Sequence, residues 1–457
     1  MDDTHLLLRN CNLLNPGEPL KRDVDIEIEN GIISNISEKG ASDGQVIECN
    51  GNYVLPGFVN AHAHCYQNLM RGLGADLRFL DWLKKAKYVV CELANEDDVY
   101  ISTLIAHLEM MKSGITTVID NFDFRNDLLG LEAISKACSK SGMRVAVARG
   151  MRVRTSLAVE WGVPAFVIPN NEEGELKLSE QAIRAYDGNL DGRLRVFISP
   201  TALYYSSKEL LLGAKALSEK YETYIHMHVA EGTDSQSASM KLFGKREVEL
   251  LDELEMLGPR FQAVHATNLA RREIEILAKR GCTVIHNPIS NMYLATGICP
   301  LVELINAGVK VALGTDGAGS NDSYNFFETM KTAALLQKSA SGDPAAVSAN
   351  GVFEMATLGE VGTILGGSIG RVKVGHRADL IVLNFKKTSS LPVYRPVNNL
   401  VYAGNVSNVV HVIIDGVPTI LDGIHTRLDE EELIARFMSS TERISTAIPD
   451  LGSPRNE

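Results

Sequence analysis

The sequence predicts an α/β fold: a (β/α)8 TIM-type barrel carrying a small composite β-sandwich domain formed by both chain ends. Three observations carry this. Eight short apolar runs, at 54–60, 115–120, 144–149, 194–198, 224–229, 262–265, 282–286 and 309–314, alternate with helical patterns. Both ends alternate apolar and polar residues with period two, whereas the long middle does not. Histidines and acids collect at the ends of the later runs, where a barrel of this kind gathers its reactive groups.

The chain begins as a meander. Leu6–Asn10 and Asp25–Glu29 alternate, Asn30-Gly31 has the chemistry of a type I′ hairpin turn, and Ile32–Ile36 continues the pattern. Helices are expected over Asp97–Lys112, Leu131–Ser141, Lys208–Lys220, Lys245–Leu257, Arg271–Arg280 and Pro300–Ala307. Several stop at a glycine (Gly114, Gly142, Gly281, Gly308), which suits the left-handed position past a helix end. An open doubly wound sheet is the rival, but it would carry a Gly-rich turn after the first run and none is there. Strand texture returns at Ala378–Leu383 and Val409–Ile414, followed by Asp415-Gly416. The expected division is 1–57 with 364–430 as the composite β-domain, 58–363 as the barrel, and 431–457 as a C-terminal helical tail. The segment 155–178, with Trp161, Pro164 and Pro169, is long for a connection and is expected to cover the substrate.

Composition narrows the function. A formal charge of −12 argues against nucleic acid as a partner. The acidic start Met1–His5 has no signal-peptide stretch, and no apolar run is long enough to span a membrane. Seven cysteines, odd in number, scattered and without a CxxC pair, suggest neither a disulfide framework nor a thiolate zinc knuckle. A cytoplasmic protein acting on a small molecule, and associating as a homo-oligomer, is expected.

His62 and His64 close the first run one residue apart, so on a strand both point to one face and can grip one metal ion. His228 closes run five, His265 run six, His286 run seven, and Asp316 follows run eight. His62, His64, His228 and Asp316 provide a shell for one divalent metal, Zn2+ foremost, with Fe2+ or Mn2+ as alternatives. Such a metal lowers the pKa of water towards neutrality. Asp316 could both touch the metal and accept the water proton. Glu231, three residues past His228, could carry protons, and His265 could polarise the attacking oxygen or the substrate.

The stretches LPGFVNAHAH, MRG, DWL, SGITTVIDN, HMHVAEG, AVHATNL, IHNPISNMYLATGICP, LGTDGAGSNDSYNFFETMK and GHRADLIVL lie in this order between Leu55 and Leu383. In this combination and order the chain resembles the amidohydrolase superfamily. The similar branch holds S-adenosylhomocysteine/methylthioadenosine deaminases, melamine deaminase and s-triazine hydrolases. The resemblance implies His62, His64, His228 and Asp316 as metal ligands and Glu231 with His265 as the catalytic pair, His226 being structural. Run four ends Ser199-Pro200-Thr201, with no lysine to bridge a second metal. The implied reaction is hydrolytic deamination of a purine, pterin, pyrimidine or triazine ring.

Two departures set the chain apart from the nucleoside deaminases of that branch. Thr201 stands where they carry a histidine. Cys91 stands nine residues after Trp82, where they carry a ribose-binding glutamate; Glu92 is its neighbour. A free ring is therefore favoured over a nucleoside. A triazine-type chlorohydrolase or other C–N hydrolase is the alternative, a nucleoside deaminase the second, and a non-enzymatic scaffold the third. Trp82, Cys91, Glu92, Arg149, Thr201, His286 and Asn321 are the candidate substrate contacts. Phe122, Phe124, Tyr204, Tyr205 and Tyr293 are candidates for an aromatic wall, and Arg149 with Arg152 could hold an acidic group or pair with carboxylates.

Overall fold

The computed structural model describes residues 5–40, 44–124, 128–357 and 368–448. The expected boundary at 363/364, the first four residues and the tail from 449 lie outside the described residues. The N-terminal part supplies β1 (His5–Leu13), β2 (Lys21–Glu29), β3 (Ile32–Ser37), β4 (Gln45–Glu48) and β5 (Tyr53–Pro56). The barrel supplies β6 (Phe58–Ala63), β7 (Ile115–Phe122), β8 (Arg144–Met151), β9 (Leu194–Pro200), β10 (Ile225–Val229), β11 (Phe261–His265), β12 (Thr283–His286) and β13 (Lys310–Leu313). The chain then returns as β14 (Leu380–Leu383), β15 (Val409–Ile414), β16 (Val417–Leu421) and β17 (Ile424–His425).

Both chain ends build one nine-stranded mixed sheet, in the order β17-β16-β15-β14-β5-β1-β2-β3, with β4 beside β1. The seam is the antiparallel pair β14/β5, in which Ile381 faces Leu55 and Val382 faces Val54. Asn30 and Gly31 sit at φ 51° and 80°, and Asp415 and Gly416 at 54° and 75°, the left-handed pairs that a type I′ turn demands.

The first apolar run does not form one strand. It breaks at Gly57, whose N–H bonds to Asp379 of the small domain while the next N–H, on Phe58, bonds to Gly114 of the barrel. A Cβ on Gly57 would stand 2.2 Å from the Thr116 side chain, so the chain can cross between domains there only as glycine. Buried Arg144, at the start of β8, ties the two domains together through Asp379 at 2.6 and 3.0 Å and Asp415 at 3.2 Å.

The eight barrel strands lie in chain order. Val59, Ala61, Ile119, Ala146, Ala148, Phe197, Val264, Ile285 and Ala312 form the interior, and alternate residues face the helices. Asn60 helps close the barrel: its side chain bonds both the N–H and the hydroxyl of Thr315, just past β13, at 3.0 and 2.7 Å. Gly314 permits that approach, since a Cβ there would meet the Asn287 side chain at 2.3 Å and His62 at 2.9 Å.

One helical expectation changes. The pattern over Lys245–Leu257 yields only Glu247–Glu253, because Glu255 turns left-handed at φ 54°. The segment 155–178 is not an open excursion. It holds a helix, Ser156–Glu160, capped by the Thr155 hydroxyl, and a 3-10 turn, Ala165–Val167; a longer helix starts at Glu172, capped by Asn171. The helix Glu430–Ser445 lies against Glu96–Lys112 through Leu433, Phe437 and the Lys112–Glu430 ion pair. No described helix is long and apolar enough to cross a membrane.

Candidate active site

Strand ends position the site, and departures from regular strand geometry aim its side chains. Between Asn60 and Ala63, β6 spends three steps against two on β7. Such a bulge re-aims side chains. On β11, alternation would send His265 outward beside Ala263; instead it sits at φ 75°, followed by Ala266 at 51°. Ala230, immediately before Glu231, and Asp316 are also left-handed, at 51° and 64°. Non-glycine residues in this region cost on the order of 1–3 kcal/mol each and concentrate where function needs them.

The imidazoles are held in one tautomer. His64 Nδ1 meets the Asn121 carbonyl at 2.6 Å and His228 Nδ1 meets the Thr201 carbonyl at 2.7 Å. Carbonyls only accept, so both rings carry the proton on Nδ1 and present Nε2 as a lone pair. His62 reaches the same state through a relay. Its Nδ1–H donates to His226 Nε2 at 2.8 Å, and His226 Nδ1–H donates to Gln262 Oε1 at 2.7 Å. Asp316 Oδ1 lies 3.4 Å from the Nε2 of both His62 and His64. Its carboxylate is oriented by the Ser290 hydroxyl on Oδ2 at 2.6 Å and the Gly317 N–H on Oδ1 at 2.7 Å.

Burial pushes the His62 ring well below the ordinary histidine range and His228 down to about 4, so both stay neutral and free to ligate. His64 goes the other way: burial lowers it, but Asp123, 3.3 Å from Nδ1, outweighs that. The ligand atoms of His62, His64 and His228 lie within 4.8 Å of one another, as do those of His62, His265 and Asp316. Fully buried His62 Nε2 has no hydrogen-bond partner. Buried nitrogen lone pairs converging beside a carboxylate could hold a divalent cation.

Beside this nest stand two further titratable groups. Glu231 Oε1 is 3.7 Å from His265 Nε2. The side-chain amides of Asn291 and Asn287 reach His265 Nδ1 at 3.0 and 3.3 Å, so Nδ1 accepts and the Nε2–H faces inward. Burial, with Asp316 adding to it, pushes Glu231 up to about 8. Both groups, with His64, His228 and Asp316, line a cavity whose apolar lining is Phe79, Trp82, Leu83 and Leu294. An outer cavity shares Phe79, Glu231 and Leu294 with it.

Of the expected substrate contacts, Trp82 and Thr201 line this cavity; Trp82 is fixed by its indole N–H on the Gly319 carbonyl at 2.6 Å. The others lie elsewhere. Cys91 is buried in the core and Glu92 faces solvent on the helix Tyr88–Leu93. Asn321 donates to the Thr315 carbonyl at 2.6 Å and shapes the turn after β13. His286 is buried, lines neither cavity, and by alternation follows Val284 towards the outer helices. Arg149 is likewise on the helix side of β8, two residues after Val147. Of the aromatic candidates, Tyr204 lines the cavity; Phe122 and Phe124 pack on Tyr66, Tyr205 bonds Tyr88, and Tyr293 bonds Asp322.

Residues 53–419 match the amidohydrolase family. The chain belongs to that family. This amidohydrolase is 35% identical over 423 residues to the 5'-deoxyadenosine deaminase of Methanosarcina acetivorans, covering 92% of this chain and 93% of that one. It is 35% identical over 417 residues to the 5-methylthioadenosine/S-adenosylhomocysteine deaminase of Syntrophobacter fumaroxidans, covering 90% and 91%. Among solved structures it superposes on an adenosine deaminase from Xanthomonas campestris with bound zinc, with TM-score 0.89, 26% identity, and 97% and 99% of the two chains covered. The triazine hydrolase of Arthrobacter aurescens shares the fold, with TM-score 0.88, 23% identity, and 96% and 99% covered.

Sequence reasoning missed Lys87 and Asp123, and took His226 as structural without its part in the relay. Lys87 lines the cavity and pairs with buried Asp123 at 2.5 Å. The available signal was a lysine five residues after Trp82 in a half-apolar helical stretch.

Arg149 instead makes a buried ion pair with Glu175 at 2.8 Å and bonds the Ser179 hydroxyl at 2.9 Å. Arg149→Met leaves the Glu175 carboxylate buried without its cation and is expected to cost about 3–5 kcal/mol of stability. Chemical denaturation measures that loss, with metal content per folded chain unchanged. A selective loss of affinity for acidic rings, without loss of stability, would return Arg149 to substrate binding.

Proposed function

We propose that the ring on which this hydrolytic deaminase acts is an aminopurine, and that its metal is zinc held by His62, His64, His228 and Asp316. The observation that supports this reading is the Glu231–His265 pair facing one cavity beside the ligand nest. A bound divalent cation supplies a water that ionises near neutral pH and a Lewis acid beside the reacting carbon. Asp316 takes a proton from the attacking water. Glu231, whose carboxyl burial pushes up to about 8, gives a proton to the ring nitrogen next to the amine-bearing carbon. His265 Nε2–H donates to the attacking oxygen as charge develops on it. The carbon becomes tetrahedral, Asp316 passes its proton to the amine, and ammonia leaves. The hydroxyl proton returns to Glu231, leaving a ring carbonyl beside an N–H. Phe79, Trp82 and Leu294 supply apolar lining against which a ring can pack.

The nucleoside form is the second reading. It is favoured by the outer cavity, which offers room for a ring substituent beyond Phe79 and Leu294, and by relatives named for such substrates. Loading the protein with one equivalent of zinc and measuring ammonia from aminated purines, pterins, pyrimidines and triazines, free and ribosylated, tests both. Ammonia from free aminopurines alone supports the first reading, and from nucleosides alone the second. Release of chloride or alkylamine from triazines, with none from purines, refutes both.

A further inference from the structure

Lys87 is 7% exposed, yet it lines the cavity that His64, His228 and Glu231 also line. The backbone puts it there by an unusual route. Between the short α-helical segments Phe79–Trp82 and Tyr88–Leu93 the chain makes a π-helical turn, Leu83–Lys87, closed by the Tyr88 N–H on the Leu83 carbonyl. In an α-helix, residues four apart share a face; in a π turn, residues five apart do. Trp82 and Lys87 therefore look into the same cavity, with the Lys87 nitrogen 5.9 Å from the Trp82 ring centroid. Single π turns are rare and cluster at functional sites.

The ammonium has three N–H donors, and the acceptor it meets among the described residues is Asp123 Oδ2. Asp123 is itself shared, accepting from the Tyr66 hydroxyl at 2.9 Å and lying 3.3 Å from His64 Nδ1. A buried ammonium with donors to spare is stabilised by an acceptor carried in on the ligand.

We propose that Lys87 determines substrate specificity, by donating to a ring oxygen on the aminated heterocycle, so that oxo-aminopurines are preferred to their counterparts lacking that oxygen. This rests on the deaminase reading above. A hydrogen bond from a charged donor changes affinity by about 10- to 100-fold.

Two pairs of rings differ by one oxygen: guanine with 2-aminopurine, and isoguanine with adenine. The zinc-loaded protein is expected to show a higher kcat/KM for the oxo member of the pair it accepts. Lys87→Met is expected to shrink that ratio about 10- to 100-fold, and Lys87→Arg to restore part of it. Lys87→Met combined with Asp123→Asn guards against misfolding by removing the orphaned carboxylate. A purely structural role for Lys87 would lower both members of a pair together. An unchanged ratio, or a wild-type preference for the ring without oxygen, overturns the proposal. If no ring gives ammonia, the deaminase reading fails separately, and the same ratios read as dissociation constants by calorimetry still decide the role of Lys87.

Discussion

Glu231→Gln lowers kcat by about 10²- to 10⁴-fold while one metal ion per chain stays bound. Glutamine keeps the size of the side chain, but it cannot give and retrieve a proton, and general acid–base catalysis is worth about that factor. The metal is expected to stay because the lone pairs that hold it belong to His62, His64 and His228, each oriented by partners other than Glu231. Ammonia release under saturating substrate, with metal analysis on the same sample, checks both halves. Loss of metal in parallel with activity would show Glu231 to be a ligand. Retention of kcat within a few-fold would remove it from the proton path.

His228→Ala has the opposite signature. It deletes a ligand whose Nε2 lies with those of His62 and His64 within 4.8 Å, and it leaves the Thr201 carbonyl without its Nδ1–H partner. Metal content is expected to fall well below one per chain, and activity with it by about 10³-fold or more, since metal assistance supplies several kcal/mol. Dialysing the unaltered protein against a chelator should do the same reversibly, activity returning with added zinc. A variant that keeps both metal and activity would exclude His228 from the ligand set and with it the nest as drawn.

How much of this was legible in the chain differs residue by residue. The alternation at both ends, the eight apolar runs and the glycines past several helices are local signals, written within a few residues, and they sufficed for a barrel with a composite β-domain. His62 and His64 were legible for the same reason, being neighbours on one strand. His228, His265 and Asp316 were legible as a set, because the ends of barrel strands converge whatever the rest of the sequence does. Arg149 and His286 misled because alternation assigns residues to two faces without saying which is inward. The first run misled because an apolar stretch reads the same on either side of Gly57.

By itself, then, the sequence determined the architecture, the family resemblance and the residues that meet at the strand ends, because those depend on periodicity and residue type. Only the tertiary structure decided the rest. It placed His226 and Gln262 behind His62 as a proton-ordering relay, through contacts 164 and 36 residues apart in sequence. It turned His265 and Asp316 into the cavity through left-handed backbone at residues with no glycine to announce it. It also brought Lys87 beside the ligands through one π turn while sending Cys91 and Glu92 away. Barrel closure and the packing of Phe79–Leu93 beside the strand ends fix those choices, and neither is a property of any short stretch of chain.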